Sequence, residues 1–491
     1  MTVRGDNRPS HKVIIVGAGM AGILAGIKLQ TAGIHDFVIY EKAKQVGGTW
    51  RENTYPGLTC DVPSHHYTYS FARNPGWTRH LPPGPEVQAY FRGVYEKFGL
   101  ARYTRFQEEA QAARFVNGHW HLEFASGRQD SAVCLIMATG VLHHPRYPDI
   151  PGQDSFSGAL FHTARWDHSV PLDGQRVGVV GNGSTGVQIV SALAGRASQL
   201  LHFQRTAQWI MPVENGYFSE AERRAFEDPD TLAAAMDTEV YNANVEAYTQ
   251  ALIDENSVGA QTLGSACREN LEQSVHDPDL RRRLTPDHRP LCKRLIFSPD
   301  YYQAIQHPAS TLVTGDIAAI EAQGVRMANG DLHALDVIAL ATGFDARAFT
   351  RPMVISGRDG VSLEHHWADY PKAYLAVSVP DLPNFFMLNG PNGPVGNFSL
   401  IDIAEHQWEF IWQLMAPVLE GRAREVACTQ EALADYEERR STAAKQTVWY
   451  KGGCQSWYLD SRGIPASWPW TFSDFVAAMR EPDWRHFDLR Q

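Results

Sequence analysis

The 491-residue sequence has little cysteine, no surplus of positive charge and no long apolar run, and each shortage removes a class of function. Its six cysteines, at positions 60, 134, 267, 292, 428 and 454, contain no CxxC pair. They are too sparse for a disulfide scaffold and disfavour a zinc ribbon or a dithiol oxidoreductase; no metal site is expected, and all six cysteines are expected to be structural. Lys plus Arg number 44 against 55 Asp plus Glu, a net charge of −11, which argues against nucleic acid or an anionic membrane surface as a partner. No uninterrupted apolar run approaches the roughly 18 residues that span a bilayer. The first dozen residues are polar, without the core of a signal peptide, so a cytoplasmic protein is the default expectation.

What is present is the composition of an ordinary folded protein, 44% hydrophobic and 20% charged. At roughly 150 residues per domain, the length suggests about three compact units or two large ones with insertions. The first informative segment is Val13-Ile14-Ile15-Val16 followed by Gly17-Ala18-Gly19-Met20-Ala21-Gly22 and an apolar helical pattern. A second strand, Phe37 to Tyr40, ends in Glu41, twenty-four residues beyond Gly17. This is the layout of a dinucleotide-binding unit: Gly17 permits the turn, Gly19 lets the backbone approach a pyrophosphate and Gly22 allows close packing. Glu41 suits ribose hydroxyls and repels a 2′-phosphate, so FAD or NAD is the expected ligand.

The pattern recurs. Val177 to Val180 leads into Gly181-Asn182-Gly183-Ser184-Thr185-Gly186, and the next strand ends in Arg205-Thr206, again twenty-four residues past the first glycine. A guanidinium at that point can pair with a 2′-phosphate, which makes NADPH the natural ligand, although an exposed Arg following a strand by chance is the bland alternative. Two sites of unlike charge preference suggest a held flavin and a mobile hydride donor. The fold class is therefore α/β, with two Rossmann-like domains for FAD and NADPH and a helical insertion. The expected boundaries are residues 1–142 for the first part of the FAD domain, 143–175 for a linker and 176–337 for the NADPH domain. The insertion falls at about 214–290, and 338–491 completes the FAD domain and the C-terminal segment. Within 214–256 there are eleven Asp or Glu against two Arg, so most of the net charge sits in the insertion.

Between the two units lies Phe156-Ser157-Gly158-Ala159-Leu160-Phe161-His162-Thr163-Ala164-Arg165-Trp166-Asp167. It matches FxGxxxHxxxW followed by Asp, and the sequence resembles the type I Baeyer-Villiger monooxygenases, a class B flavoprotein family. Related nitrogen- and sulfur-oxidising enzymes carry Tyr or Phe where Trp166 stands. The run Gly47 to Asp61 also matches the family's GGxWxxxxYPGxxxD pattern, and the resemblance extends through Cys292-Lys293-Arg294 to Gly453-Cys454-Gln455-Ser456-Trp457-Tyr458.

The resemblance implies oxygenation of a ketone through a C4a-peroxyflavin, with FAD, NADPH, O2 and a small-molecule ketone as the partners. Arg294 is then the cation that stabilises the peroxide and the tetrahedral oxyanion, and Asp61 the carboxylate that orients it, with turn capping as the plainer role for Asp61. Gly48, Thr49, Trp50, Asp61 and Tyr67 fall on the flavin side. Trp50 and Tyr55 flank the flavin or line the cavity, with packing alone as the alternative. Lys293 assists Arg205 and Thr206 at the phosphate, and Trp457 lies near nicotinamide or substrate. Phe156, Gly158, His162, Trp166 and Asp167 belong to an interdomain linker, in which His162 fixes domain position rather than moving a proton. The chain departs from the pattern at Pro63, where cyclic-ketone members have an acidic residue, so a larger aryl or polycyclic ketone is as fair an expectation as a small cyclic one. A heteroatom monooxygenase and a non-catalytic NADPH-responsive flavoprotein are the rival readings, and oligomeric state is not legible.

Overall fold

The computed structural model describes residues 9–396 and 398–491, so the first eight residues of the polar N-terminal stretch lie outside the described residues. Strand β1 (His11–Val16), the helix Met20–Thr31 and β2 (Phe37–Glu41) form the first unit, followed by β3 (Thr104–Phe106), β4 (Ala110–Val116), β5 (His119–Phe124) and β6 (Gln129–Met137). Next come β7 (Ala159–His162), β8 (Arg176–Val180), the helix Ser184–Leu193, β9 (Gln199–Gln204), β10 (Ile210–Pro212), β11 (Ile296–Ser298) and β12 (Ser310–Thr314). A small antiparallel sheet of β13 (Ile317–Glu321), β14 (Gly324–Met327) and β15 (Leu332–Ala334) precedes β16 (Val337–Leu340), β17 (Val354–Ser356) and β18 (Phe385–Met387).

Two sheets organise these elements. The first runs β17-β4-β5-β6-β1-β2-β3, with β18 also on β6, and the second runs β12-β9-β8-β16-β7 with every pairing parallel. Val13 to Val16 and Val177 to Val180 are buried throughout because each strand sits inside its sheet with both faces covered, which is why they read as unbroken apolar runs. The second sheet moves two expected boundaries. The segment read as a linker contributes β7, an edge strand paired to β16 from Val337↔Ala159 to Leu340↔His162. Strand β16 itself lies between β8 and β7, so a division at residue 338 would cut it, and the chain returns to the first sheet only beyond Leu340.

Between β10 and β11 the chain folds into five helices, Glu220–Ala225, Pro229–Met236, Thr238–Ile253, Val258–Ser274 and Pro278–Leu284. Each has a local start signal: Ser219, Asp228, Asp237, Ser257 and Asp277 accept a hydrogen bond from a backbone N–H in the first turn. The C-terminal segment is built around the helix Leu400–Leu419, whose Ile401, Ala404, Trp408, Ile411 and Met415 are buried in the first unit's core. A separate cluster of Trp209, Leu252, Cys267, Leu291, Leu295, Trp449 and Tyr458 joins the insertion, the chain around residue 292 and the C-terminal segment. Inside it Cys292 and Cys454 form a disulfide, a pairing absent from the sequence reading because 162 residues separate them, while the other four cysteines are free and buried. Among the described residues no helix is long and apolar enough to cross a membrane.

Candidate active site

The two glycine turns fold alike for the same reason. Gly17 has φ +105° and Gly181 φ +107°, in the region that side chains avoid, and a Cβ at either would run into the carbonyl of Ala138 or Ala341, the residue just past the end of the adjacent strand. The helices that follow are preceded by Gly19 and Gly183, neither of which offers a side-chain cap, so their first backbone N–H groups remain available to an anion. Gly22 and Gly186 lie against the carbonyls of Gly17 and Gly181, the close helix–strand packing their spacing predicts.

The ends of β2 and β9 differ in charge as read. Glu41 is buried and accepts from Ala18 N–H at 2.8 Å, Ala43 N–H at 2.9 Å and Arg51 at 3.1 Å. A carboxylate offers about four acceptor positions, so capacity remains on its cavity side. Arg205 is exposed on the cavity wall beside Thr206, whose hydroxyl accepts from Lys293 Nζ at 3.2 Å. Burial, with Arg205 nearby and against the pull of Asp287, holds the Lys293 ammonium below the usual lysine range. Both turns and these three residues open onto one cavity of about 1170 Å³, which Gly48, Thr49, Trp50, Tyr55, Asp61, Tyr67, Ser184, Thr185, Arg294 and Trp457 also line.

Arg294 and Asp61, 233 residues apart, form an ion pair on that wall, with Nε at 2.9 Å and Nη2 at 2.6 Å from Asp61 Oδ2. Their side chains are 29% and 26% exposed, so the pair faces the cavity without being free in solvent. Burial disfavours the guanidinium charge, but the Asp61 carboxylate outweighs it and holds the Arg294 pKa above its ordinary value. Trp50 Nε1 donates to the hydroxyl of buried Tyr67 at 3.1 Å, fixing the two rings edge to face.

The loop carrying Asp61 is tied to the second unit. Tyr55 Oη donates to Gln188 Oε1 at 2.9 Å and receives a longer bond from Thr185 Oγ1 at 3.4 Å, while Gln188 Nε2 donates to Thr59 O at 3.1 Å. Gln188 was not singled out in the sequence; its only signal is its position on the helix behind the second turn.

The motif between the units stands behind the cavity rather than on its wall. His162 is 1% exposed; its Nδ1 accepts from Ala164 N–H at 3.1 Å, so Nε2 carries the proton and donates to Gly343 O at 3.0 Å. Burial, opposed by that carbonyl and aided by Arg165, lowers its pKa and keeps it neutral. Trp166 is buried against Phe161, Phe156 packs under the second sheet, Gly158 meets the backbone at Asp336, and Asp167 caps Ser169. The segment touches the first unit through Arg165 and Glu52 at 2.7 Å and through His168 and Thr54 at 2.8 Å.

A family model described as pyridine nucleotide-disulphide oxidoreductase matches residues 14–217. The chain is 46% identical to an uncharacterised monooxygenase of Mycobacterium tuberculosis over 98% of this chain and 96% of that protein. It is also similar to a solved structure of cyclohexanone monooxygenase from Rhodococcus sp. Phi1 bound to NADP+, with 29% identity, a TM-score of 0.86, and 99% and 100% of the two chains covered. A Baeyer-Villiger monooxygenase of Streptomyces coelicolor is 35% identical over 97% of this chain and 92% of its own length. Likeness at that level over nearly the whole of both chains settles the family: the chain belongs to the Baeyer-Villiger monooxygenases.

Proposed function

We propose that the protein binds FAD and NADPH and inserts one oxygen atom of O2 beside the carbonyl of a small-molecule ketone, giving an ester or lactone and water. The observation that carries this reading is the Arg294–Asp61 pair on the wall of a cavity shared by both glycine turns. The first turn fits FAD, because its helix N-terminus is open to a pyrophosphate and Glu41 has acceptor capacity for a ribose. Gly48, Thr49, Trp50, Asp61 and Tyr67 would complete that side. The second turn fits NADPH, with Arg205, Thr206 and Lys293 grouped where a 2′-phosphate needs charge.

Bound flavin supplies acceptance of a hydride from NADPH and activation of O2. The chain's part is electrostatic and geometric. Arg294, charged at every working pH, stabilises negative charge on oxygen as it develops, and in a partly desolvated site such a preorganised cation is worth far more than in water. Asp61 keeps the guanidinium on the cavity wall. Neutral His162, held between Ala164 and Gly343, sets the position of the motif at the border of the units and transfers no proton. Trp457, 44% exposed on the wall, is placed to meet nicotinamide or substrate.

The test pairs small, aryl and polycyclic ketones with thioethers of similar size, under NADPH and isotopically heavy oxygen, and reads products by mass. Esters or lactones carrying one heavy atom are expected. In Arg294→Ala their formation should fall roughly 10²- to 10³-fold while NADPH oxidation continues as peroxide release. Labelled sulfoxides alone would move the enzyme to heteroatom oxidation, and normal ester formation by Arg294→Ala would overturn the mechanism.

A further inference from the structure

The two bonds between Arg294 and Asp61 end on a single oxygen, Oδ2, rather than on both oxygens of a parallel fork. One oxygen is a pivot: it fixes where the guanidinium sits but leaves the tilt of its plane to whatever holds the opposite edge. That edge is Nη1. Gly396, with φ +85°, lies against it, and a Cβ there would collide with the Tyr458 hydroxyl and come within 2.9 Å of Arg294 Nη1. Nη1 and the phenol oxygen therefore share one small space that only a glycine leaves open.

Tyr458 is well fixed to serve as that second anchor. It is 3% exposed, and its ring lies between Trp449 at 5.0 Å and Trp457 at 4.3 Å. The segments carrying the two residues are joined covalently two residues before Arg294 and four before Tyr458, through Cys292 and Cys454. Burial keeps the phenol neutral, with the nearby guanidinium opposing, so its lone pairs can orient Arg294 without adding a second negative charge to the one Asp61 supplies. A second carboxylate here would overcompensate the cation that the chemistry needs.

We propose that Tyr458 is a positioning residue for Arg294: its hydroxyl, admitted by Gly396, holds the Nη1 edge and so fixes the plane in which the cation meets the reacting oxygen. The proposal rests on the ketone-oxygenating reading for its effect on turnover, but not for the contact itself.

The experiment is a double-mutant cycle of Tyr458→Phe and Arg294→Lys in the full-length holoenzyme, read in two ways. Tyr458→Phe keeps the ring between its two tryptophans and removes only the hydroxyl. Alone it should lower kcat for the ester roughly 10- to 100-fold, the scale set by a misplaced reacting group. Peroxide per NADPH should rise, with KM for the ketone and the rate of anaerobic flavin reduction unchanged. In the Arg294→Lys background, where no Nη1 exists, the same substitution should change neither kcat nor peroxide yield further. The unfolding midpoints of the four proteins should be non-additive in the same sense. Equal effects of Tyr458→Phe in both backgrounds, on turnover and on midpoint, would overturn the proposal and leave Tyr458 a packing residue. If the unsubstituted enzyme oxygenates no ketone, the functional reading fails, and the midpoint cycle still decides the Tyr458 contact.

Discussion

Tyr55 donates its phenolic hydrogen to Gln188 Oε1 at 2.9 Å, and through that bond the loop that carries Asp61 is fastened to the helix behind the second glycine turn. Gln188 holds the loop twice, because its amide nitrogen also donates to the Thr59 carbonyl at 3.1 Å and to the Thr59 hydroxyl at 3.0 Å. Tyr55 is almost fully buried, and burial pushes its phenol pKa well up, so the donor is neutral throughout the working pH range. The position of Asp61, and with it Arg294, is thereby coupled to the unit expected to hold NADPH.

Gln188→Ala removes the amide from both contacts and leaves the buried Tyr55 hydroxyl and the Thr59 carbonyl to find other partners. A lost partner of this kind costs about 1–3 kcal/mol. The unfolding midpoint should fall accordingly, and peroxide release per NADPH should rise because the Asp61 loop is held less tightly. Unchanged coupling of NADPH oxidation to product in a destabilised Gln188→Ala protein would show that the bond serves stability alone.

If Arg205 pairs with the 2′-phosphate as proposed, it sets which nicotinamide cofactor is used. Substituting Gln removes the positive charge beside Lys293 and Thr206 and leaves a polar side chain in its place. A hydrogen bond to a charged group is worth about 1.5–3 kcal/mol, so KM for NADPH should rise roughly 10- to 100-fold. KM for NADH, which has no 2′-phosphate, should move little. Equal losses with both cofactors would assign Arg205 to the shared part of the dinucleotide instead.

The parts of this site that could be read from the sequence are those whose cause is local. Gly17 and Gly181 are fixed by a turn and the strand beside it, and Glu41 and Arg205 follow at a common offset because the intervening helix and strand have set lengths. Arg294 and Asp61 could be paired only because each stands in a family motif; nothing local joins residues 233 positions apart. Gln188 with Tyr55 and Cys292 with Cys454, 133 and 162 residues apart, carry no pattern at all, since their meeting depends on how the units pack. The same holds for β7 and β16: each reads as a short apolar strand, but which sheet a strand joins is decided by crossovers that hydrophobic pattern does not encode.

The disulfide predicts a definite thiol count. Alkylation of the denatured, non-reduced protein should block four cysteines, Cys60, Cys134, Cys267 and Cys428, and recover Cys292 and Cys454 in one cross-linked peptide. A native disulfide stabilises by about 2–4 kcal/mol in typical proteins. Cys454→Ser should therefore lower the unfolding midpoint, and a dithiol reductant should lower it in the unsubstituted protein but not in the variant. Six alkylated cysteines before reduction would remove the bridge from the solution structure.

Acid should loosen the contact between the helical insertion and the loop that follows Asp61. His65 is buried there, stacked on Phe218 and edge-on to Phe226, and His66 lies flat on Tyr241 with ring centres 3.7 Å apart. Burial, reinforced by His66 and His80, lowers the His65 pKa to about 4, and burial also lowers those of His66 and His80. A histidine in the unfolded chain titrates near 6.5. Between these values the unfolded chain binds a proton that the folded one refuses, so stability falls as pH drops below about 6.5 and this loss is complete only below about 4. Asp402 acts with the opposite sign: burial, with Glu405 nearby, raises its carboxyl to about 8, so its contribution weakens as pH rises. Comparing the unsubstituted protein with His65→Phe separates the two, because Asp402 is common to both. Unfolding midpoints measured from pH 7 to pH 4 should fall less steeply in His65→Phe, and identical slopes would mean that the folded protein accommodates the charged imidazole without cost.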